Sequence, residues 1–224
     1  MDKTKEPQYS ILYDVEKRHG RSTFGIMANE SWNNDPKRTL FTLARYKFVA
    51  RMLEGKNNAL EIGCADAFGT RLVQQTVEKV HVIDFDPVFI EDVKNRYNRH
   101  WPLTYEQWDI LKQPTKKKFE SCFALDVLEH IEKEKENLFF YNIKQSLLEN
   151  SVAIIGMPSL ESQKYASPQS KEGHVNCQSG YELKTNLLKQ FEQVFMFSMN
   201  DEVIHTGYYP MAHYLIALCC HPIN

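Results

Sequence analysis

Glu61-Ile62-Gly63-Cys64-Ala65-Asp66-Ala67-Phe68-Gly69 is the stretch on which the reading of this chain turns. The apolar run at 59–62 predicts a short strand, and the residues from about Gly69 to Gln75 predict a helix. A turn between such a strand and helix lies at the carboxyl edge of an open α/β sheet, where these sheets bind ligands. Gly63 and Gly69 let a backbone approach a ligand closely. Two glycines alone suit a plain chain-turning loop equally well.

Outward from this point, short apolar runs alternate with helical patterns, the mark of a sheet wrapped by helices on both faces. Strands are expected at 80–83, 103–108, 121–125 and 152–156, with helices opening at Pro87 and covering 134–148. Upstream, Asp35 as N-cap before Pro36 predicts a helix ending near Gly55. Leu40, Leu43, Ala44, Phe48, Met52 and Leu53 would form its buried stripe. Residues 1–35 predict a cap or lid, and residues 36–224 the domain itself. Ser179-Gly180-Tyr181-Glu182 is a capping box opening a helix to about Phe191. The β-rich runs 194–199 and 211–219 are joined by a linker too short for a crossover helix, so they should be antiparallel.

The acids downstream of the glycines give the loop its meaning. Asp84 ends the second strand, 21 residues beyond Gly63, where a carboxylate accepts both hydroxyls of a ribose. Asp109 ends the third strand beside Ile110, placed for an exocyclic adenine amine with apolar cover for the ring. The fourth strand ends in Asp126-Val127-Leu128-Glu129-His130-Ile131. Carboxylates therefore mark successive strand ends on one edge of the sheet. The plainer alternative is that they only cap helices and solvate that edge.

Together E-I-G-C-A at 61–65, V-I-D at 82–84, W-D-I at 108–110 and L-D-V-L-E-H-I at 125–131 resemble the class I S-adenosylmethionine-dependent methyltransferases, over about residues 40–220. The resemblance implies a Rossmann-like, seven-stranded, mostly parallel sheet with an antiparallel last strand, S-adenosyl-L-methionine as cofactor, and a small-molecule acceptor. By position it puts Gly63, Cys64 and Ala65, with the loop to Gly69, along the methionine part of the cofactor. Asp84 with Phe85 falls on the ribose, and Asp109 with Ile110 on the adenine. An acidic rim of Glu61, Asp66, Asp84 and Asp126 suits a sulfonium cation that also carries an ammonium. Ala65 and Ala67 depart from the family's G-x-G-x-G. The cofactor has no pyrophosphate to seat, which makes the demand for bare backbone milder.

Two histidines compete as general base for an acceptor hydroxyl. His130 follows the fourth strand and is either catalytic or a structural hydrogen-bonding group. His174, in the loop after the fifth strand, is either a catalytic or substrate-binding group or a plain loop residue. His205 is a weaker candidate, and His213 alternates with apolar residues as a core histidine would. Tyr9, Tyr13, Trp32, Tyr208 and Tyr209 are candidates for shaping the acceptor pocket. Arg18, His19 and Arg21 would hold an anionic acceptor or form a solvated face.

Composition narrows the field further. The formal net charge is -2 and the longest basic block is Lys116-Lys117-Lys118, which offers no phosphate-backbone footprint. Nucleic acid is thus not the expected partner. Five cysteines without a C-x-x-C pair, and no histidines at zinc-finger spacing, predict reduced structural thiols and no metal. A charged N-terminus and the lack of long apolar runs predict a cytoplasmic chain with no membrane partner. A nicotinamide-dependent oxidoreductase shares the strand, loop and distal acid, but Ala65 breaks its G-x-G-x-x-G. A non-catalytic relative serving as a binding subunit is the third alternative.

Overall fold

Residues 4–223 are described by the computed structural model. Two helices, α1 (Ser10–His19) and α2 (Ile26–Asn34), precede α3 (Lys37–Met52). β1 (Asn58–Ile62) runs through the glycine-bearing loop into the short α4 (Thr70–Val73), and β2 (Lys79–Asp84) into α5 (Pro87–Asn95). β3 (Thr104–Gln107), β4 (Phe119–Leu125), α6 (Glu136–Gln145) and β5 (Leu147–Pro158) follow. After α7 (Pro168–Gly173) and α8 (Gly180–Leu187), the chain ends in β6 (Phe191–Asn200), β7 (Val203–His205) and β8 (Tyr214–Pro222).

These strands form one sheet in the order β3-β2-β1-β4-β5-β8-β6-β7. β1 to β5 pair in parallel, whereas β8 lies between β5 and β6 and is antiparallel to both. The expected architecture is therefore present, with eight strands instead of seven. The additional strand is β7, a three-residue edge pairing with β6. Three residues are too few to carry an alternating signal.

Strand alternation sorts the core into two layers. Leu60 and Ile62 of β1 join the layer under α6 and α8 with Phe139, Ile143, Leu183 and Leu187. Ala59 faces the other layer, with Val49 of α3, Leu53 just beyond its end and Val93 of α5. The expected stripe of α3 holds in part, with Leu53 buried and Ala44 and Phe48 packed against the core. Thr39, Tyr46, Val49, Ala50 and Leu53 are buried, while Leu40 is 58% and Met52 41% exposed. Asp35 does not cap this helix through its side chain; Pro36 holds the N-cap position. The capping box of α8 is as expected, with Ser179 and Glu182 satisfying each other's backbone N–H groups. No described helix is long and apolar enough to cross a membrane.

Candidate active site

The loop from β1 to α4 turns by placing alternate residues in the left-handed region: Gly63 at φ 68°, Ala65 at 45° and Ala67 at 50°. The two alanines thus keep the backbone of a G-x-G-x-G loop despite lacking its glycines. Gly63 has a second reason to be glycine, since a Cβ there would lie 2.5 Å from Cγ2 of Val127. The loop is tied to β2, with Gly63 N and Cys64 N donating to the Ile83 carbonyl at 2.9 and 3.1 Å. A left-handed alanine costs roughly 1–2 kcal/mol, partly offset by the greater freedom of glycine in the unfolded chain. Ala65→Gly should therefore raise unfolding stability by about 0.5–1 kcal/mol in urea denaturation. A loss of stability would show that the Ala65 methyl packs productively.

Of the acids expected at the rim, Glu61 turns inward. Alternation puts Glu61 on the Ala59 face of β1, beneath α3, where its oxygens accept from Tyr46 Oη at 2.6 Å and Thr70 Oγ1 at 2.5 Å. It is buried, and it braces the loop from below rather than lining the rim. Asp66 is buried too, because the N-terminal segment docks on it. Ala28 N donates to its Oδ2 at 2.7 Å, Phe68 N donates to Oδ1 at 3.1 Å, and Arg96 holds its carbonyl. Glu61 thus departs from the expected open rim, whereas Asp66 is buried at the edge to the same degree as Asp84.

Burial pushes the Glu61 carboxyl up to about 7, against the hydrogen bonds from Thr70 and Tyr46 that lower it. The folded chain then holds a proton that the unfolded chain sheds near 4.5. The associated stability is full below that pH and is lost as pH rises towards 7, by roughly 3 kcal/mol. Glu61→Gln should remove this slope. Urea denaturation of both proteins at pH 5 and pH 7.5 checks it, and parallel pH profiles would refute it.

The other acids stay at the carboxyl edge. Asp84 accepts from Ala65 N and Asp86 N, each at 2.9 Å, through different oxygens, and each oxygen keeps a lone pair. Burial raises its carboxyl from the ordinary value, and the N–H groups of Asp86 and Ala65 oppose the shift. Phe85 beside it is 70% exposed. Asp109 accepts from Leu111 N at 3.0 Å and lies 3.5 Å from Lys112, while Ile110 is buried in the core. Asp126, at φ 57°, receives Arg45 Nη1 at 2.6 Å. That guanidinium also lies 3.7 Å over the ring of Tyr214. Cys64 is buried, and burial pushes its thiol up, which suits packing rather than nucleophilic chemistry.

The two histidine candidates come together, with ring centroids 5.2 Å apart although 44 residues separate them. Nδ1 of His130 meets the Gly173 carbonyl at 2.9 Å, and Nδ1 of His174 meets Gln163 Oε1 at 2.8 Å. Each Nδ1 faces an oxygen acceptor and so donates, and in a neutral ring held this way Nε2 carries the lone pair. Burial lowers the pKa of His174, helped by His130 and opposed by Asp126. His205 sits apart, bonded to Asn200 and Gly207, and His213 packs at 5.8 Å from Phe41.

Glu129 was not assigned a role from sequence. It is buried, and neither carboxylate oxygen has a hydrogen-bond partner among the described residues. Burial, and then the charge of Asp126, hold its carboxyl well above the usual range. Arg45 was missed as well. Its contact with Asp126 spans 81 residues, beyond the reach of any local pattern.

The aromatic and basic candidates of the N-terminal segment are not gathered into a pocket. Trp32 stacks on Phe24, which in turn meets Phe68 of the loop at 5.1 Å. Tyr9, Tyr13 and Tyr208 are exposed, and Tyr209 packs against Gly180 at the start of α8. Arg21 pairs with Glu16 at 2.6 Å, and Arg18 bonds the Asp14 carbonyl within α1.

The donor set fits a cationic nucleoside. Asp84 retains acceptor capacity beside an exposed aromatic, Asp109 and Asp126 follow the ends of β3 and β4 at the same edge of the sheet, and the loop is bent into its glycine-type path by its own residues. The fold and this edge define an S-adenosylmethionine-binding Rossmann-like domain.

Residues 59–150 match the family described as "Methyltransferase domain". The matched segment is a methyltransferase domain on a Rossmann-like fold, and S-adenosylmethionine is its cofactor. Similar solved structures include the N-methyltransferase NodS from Bradyrhizobium japonicum with S-adenosylhomocysteine. It shares 20% identity at a TM-score of 0.61, over 86% of this chain and 91% of that one. The DhpI–SAM–HEP complex matches with 14% identity and a TM-score of 0.61, over 97% of this chain and 99% of that one. The methyltransferase domain of bacterial CtHen1 matches with 11% identity and a TM-score of 0.67, over 82% of this chain and all of that one. At these identities the likeness is one of fold. No curated protein matches the chain by sequence.

Proposed function

We propose that this methyltransferase acts on a hydroxyl or amine of a small, polar, sugar-like acceptor that approaches the cofactor from the side of His130 and His174. S-adenosylmethionine brings a methyl group already activated on its sulfonium. The acceptor lone pair forms the new bond to the methyl carbon as the carbon–sulfur bond breaks, and the acceptor proton is released. The chain's task is to align and desolvate, and alignment alone supplies roughly 7–11 kcal/mol in favourable cases. In this reading Asp84 holds the ribose, Asp109 and Ile110 take the adenine, and the loop from Gly63 to Gly69 borders the methionine part.

The observation that carries the acceptor assignment is the pairing of two histidines whose Nε2 lone pairs are left free by fixed Nδ1 contacts. The segment 1–35, docked through Ala28 on Asp66, serves as the cap over the domain at 36–224. A weakly acidic chain with no long basic run favours a metabolite over a nucleic acid. Five unpaired cysteines favour a cytoplasmic setting. The test is to supply S-adenosylmethionine with panels of sugars, nucleotide sugars, amines and short RNAs and to follow S-adenosylhomocysteine by mass spectrometry. Turnover on RNA alone would overturn the acceptor class.

A further inference from the structure

We propose that Glu129, His130 and His174 form a binding site for a divalent first-row metal ion on the acceptor side of this edge. One ligand atom from each of the three lies within 4.8 Å of the others. Ligands sharing an ion at about 2.1 Å stand roughly 3–4 Å apart, so the set closes by about an ångström around a cation. Two imidazoles and one carboxylate make a mixed nitrogen–oxygen set of the kind that holds such ions.

Three independent features single out this cluster. First, the Glu129 carboxyl is 1% exposed, and both of its oxygens lack partners among the described residues, a condition that calls for a missing group. The nearby cation, Arg45, bonds Asp126 at 2.6 Å and gives Glu129 no hydrogen bond. Second, each histidine is held through Nδ1, one by a backbone carbonyl and the other by an amide oxygen. This outer hydrogen bond is the one that orients an imidazole for metal ligation through Nε2. Third, the loop that carries His174 is pinned to Glu129 itself. Val175 N and Asn176 N both donate to the Glu129 carbonyl, at 2.8 and 3.0 Å. The three ligands are thus one rigid unit despite their distance in sequence.

Spacing rules built on cysteine gave no hint of such a site, because its ligands arrive from two loops 44 residues apart. Its role rests on the acceptor reading given above. A cation at this place lowers the proton affinity of a hydroxyl set against it. That oxygen releases its proton to water, and its lone pair takes the methyl group as the sulfonium becomes a neutral thioether. The site therefore favours oxygen over nitrogen as the methylated atom.

The experiment uses the full chain, stripped with chelator and titrated with Mn2+ and separately with Co2+. Binding is followed by calorimetry, by the Mn2+ spin-resonance signal and by the Co2+ visible spectrum. One ion per chain is expected. Glu129→Gln and His174→Ala should each weaken it at least tenfold. Gln163→Ala, which touches no metal, should weaken it about tenfold through the freed His174 ring. S-adenosylhomocysteine titration of the same variants should stay within twofold of the wild type, which also shows that they fold. The proposal is overturned if the wild type binds neither ion at 1 mM, or if the variants bind as the wild type does. Failure to bind S-adenosylhomocysteine would instead strike the cofactor reading and leave the metal result standing.

Discussion

Asp84→Ala is expected to lower S-adenosylhomocysteine affinity by about 100-fold or more. Hydrogen bonds to a charged group contribute roughly 1.5–3 kcal/mol each, and a ribose presents two hydroxyls to this carboxylate. The substitution will also cost stability. Asp84 accepts the N–H groups of Ala65 and Asp86, and its loss strands both donors at a buried position. A decrease of about 2 kcal/mol in unfolding free energy is expected alongside the affinity loss. Calorimetric titration below the unfolding transition separates the two effects. Affinity within twofold of wild type, on a folded variant, would remove Asp84 from the ribose.

His174→Ala is expected to lower turnover by about 100-fold or more while cofactor affinity stays within twofold. The magnitude is that of losing a group that manages the acceptor's proton. His174 is half-buried, its Nδ1 is fixed by Gln163, and burial favours its neutral form. Its Nε2 is thereby kept as a lone-pair donor at neutral pH. Steady-state kinetics on any acceptor from the panel, paired with S-adenosylhomocysteine titration, decides the matter. If neither quantity changes, His174 is an ordinary loop residue.

What was legible in the sequence was whatever is written locally. The strands at 59–62, 80–83 and 121–125 appear within two residues of their predicted ends, since alternation and flanking turns fix them. The capping box at Ser179 is a four-residue signal and is present as such. Asp84 stands at the end of β2, as its distance from Gly63 implied.

The errors concern direction and long-range partnership. Glu61 was assigned to an open rim, although its parity with Ala59 points it under α3. Combining that parity with a tyrosine on α3 would have revealed the buried bond. The bond from Ala28 N to Asp66 is illegible in the sequence because it comes from a segment 38 residues away. The stripe of α3 is displaced at Leu40 and Met52 because polar Thr39 and Tyr46 face inward. Glu129 escaped notice because nothing local distinguishes a buried, unpartnered carboxylate from an exposed one.

The position of β8 shapes how the chain acquires its structure. β8 follows β6 in the chain, yet it is inserted between β5 and β6 and pairs with both along most of its length. Until residues 214–222 emerge, β5 and β6 each present an unpaired, largely apolar border able to template the wrong partner. A ribosome stalled before this segment would hold a half-closed sheet vulnerable to aggregation. Chaperone dependence should accordingly peak in nascent chains that extend past β7 and stop short of residue 214.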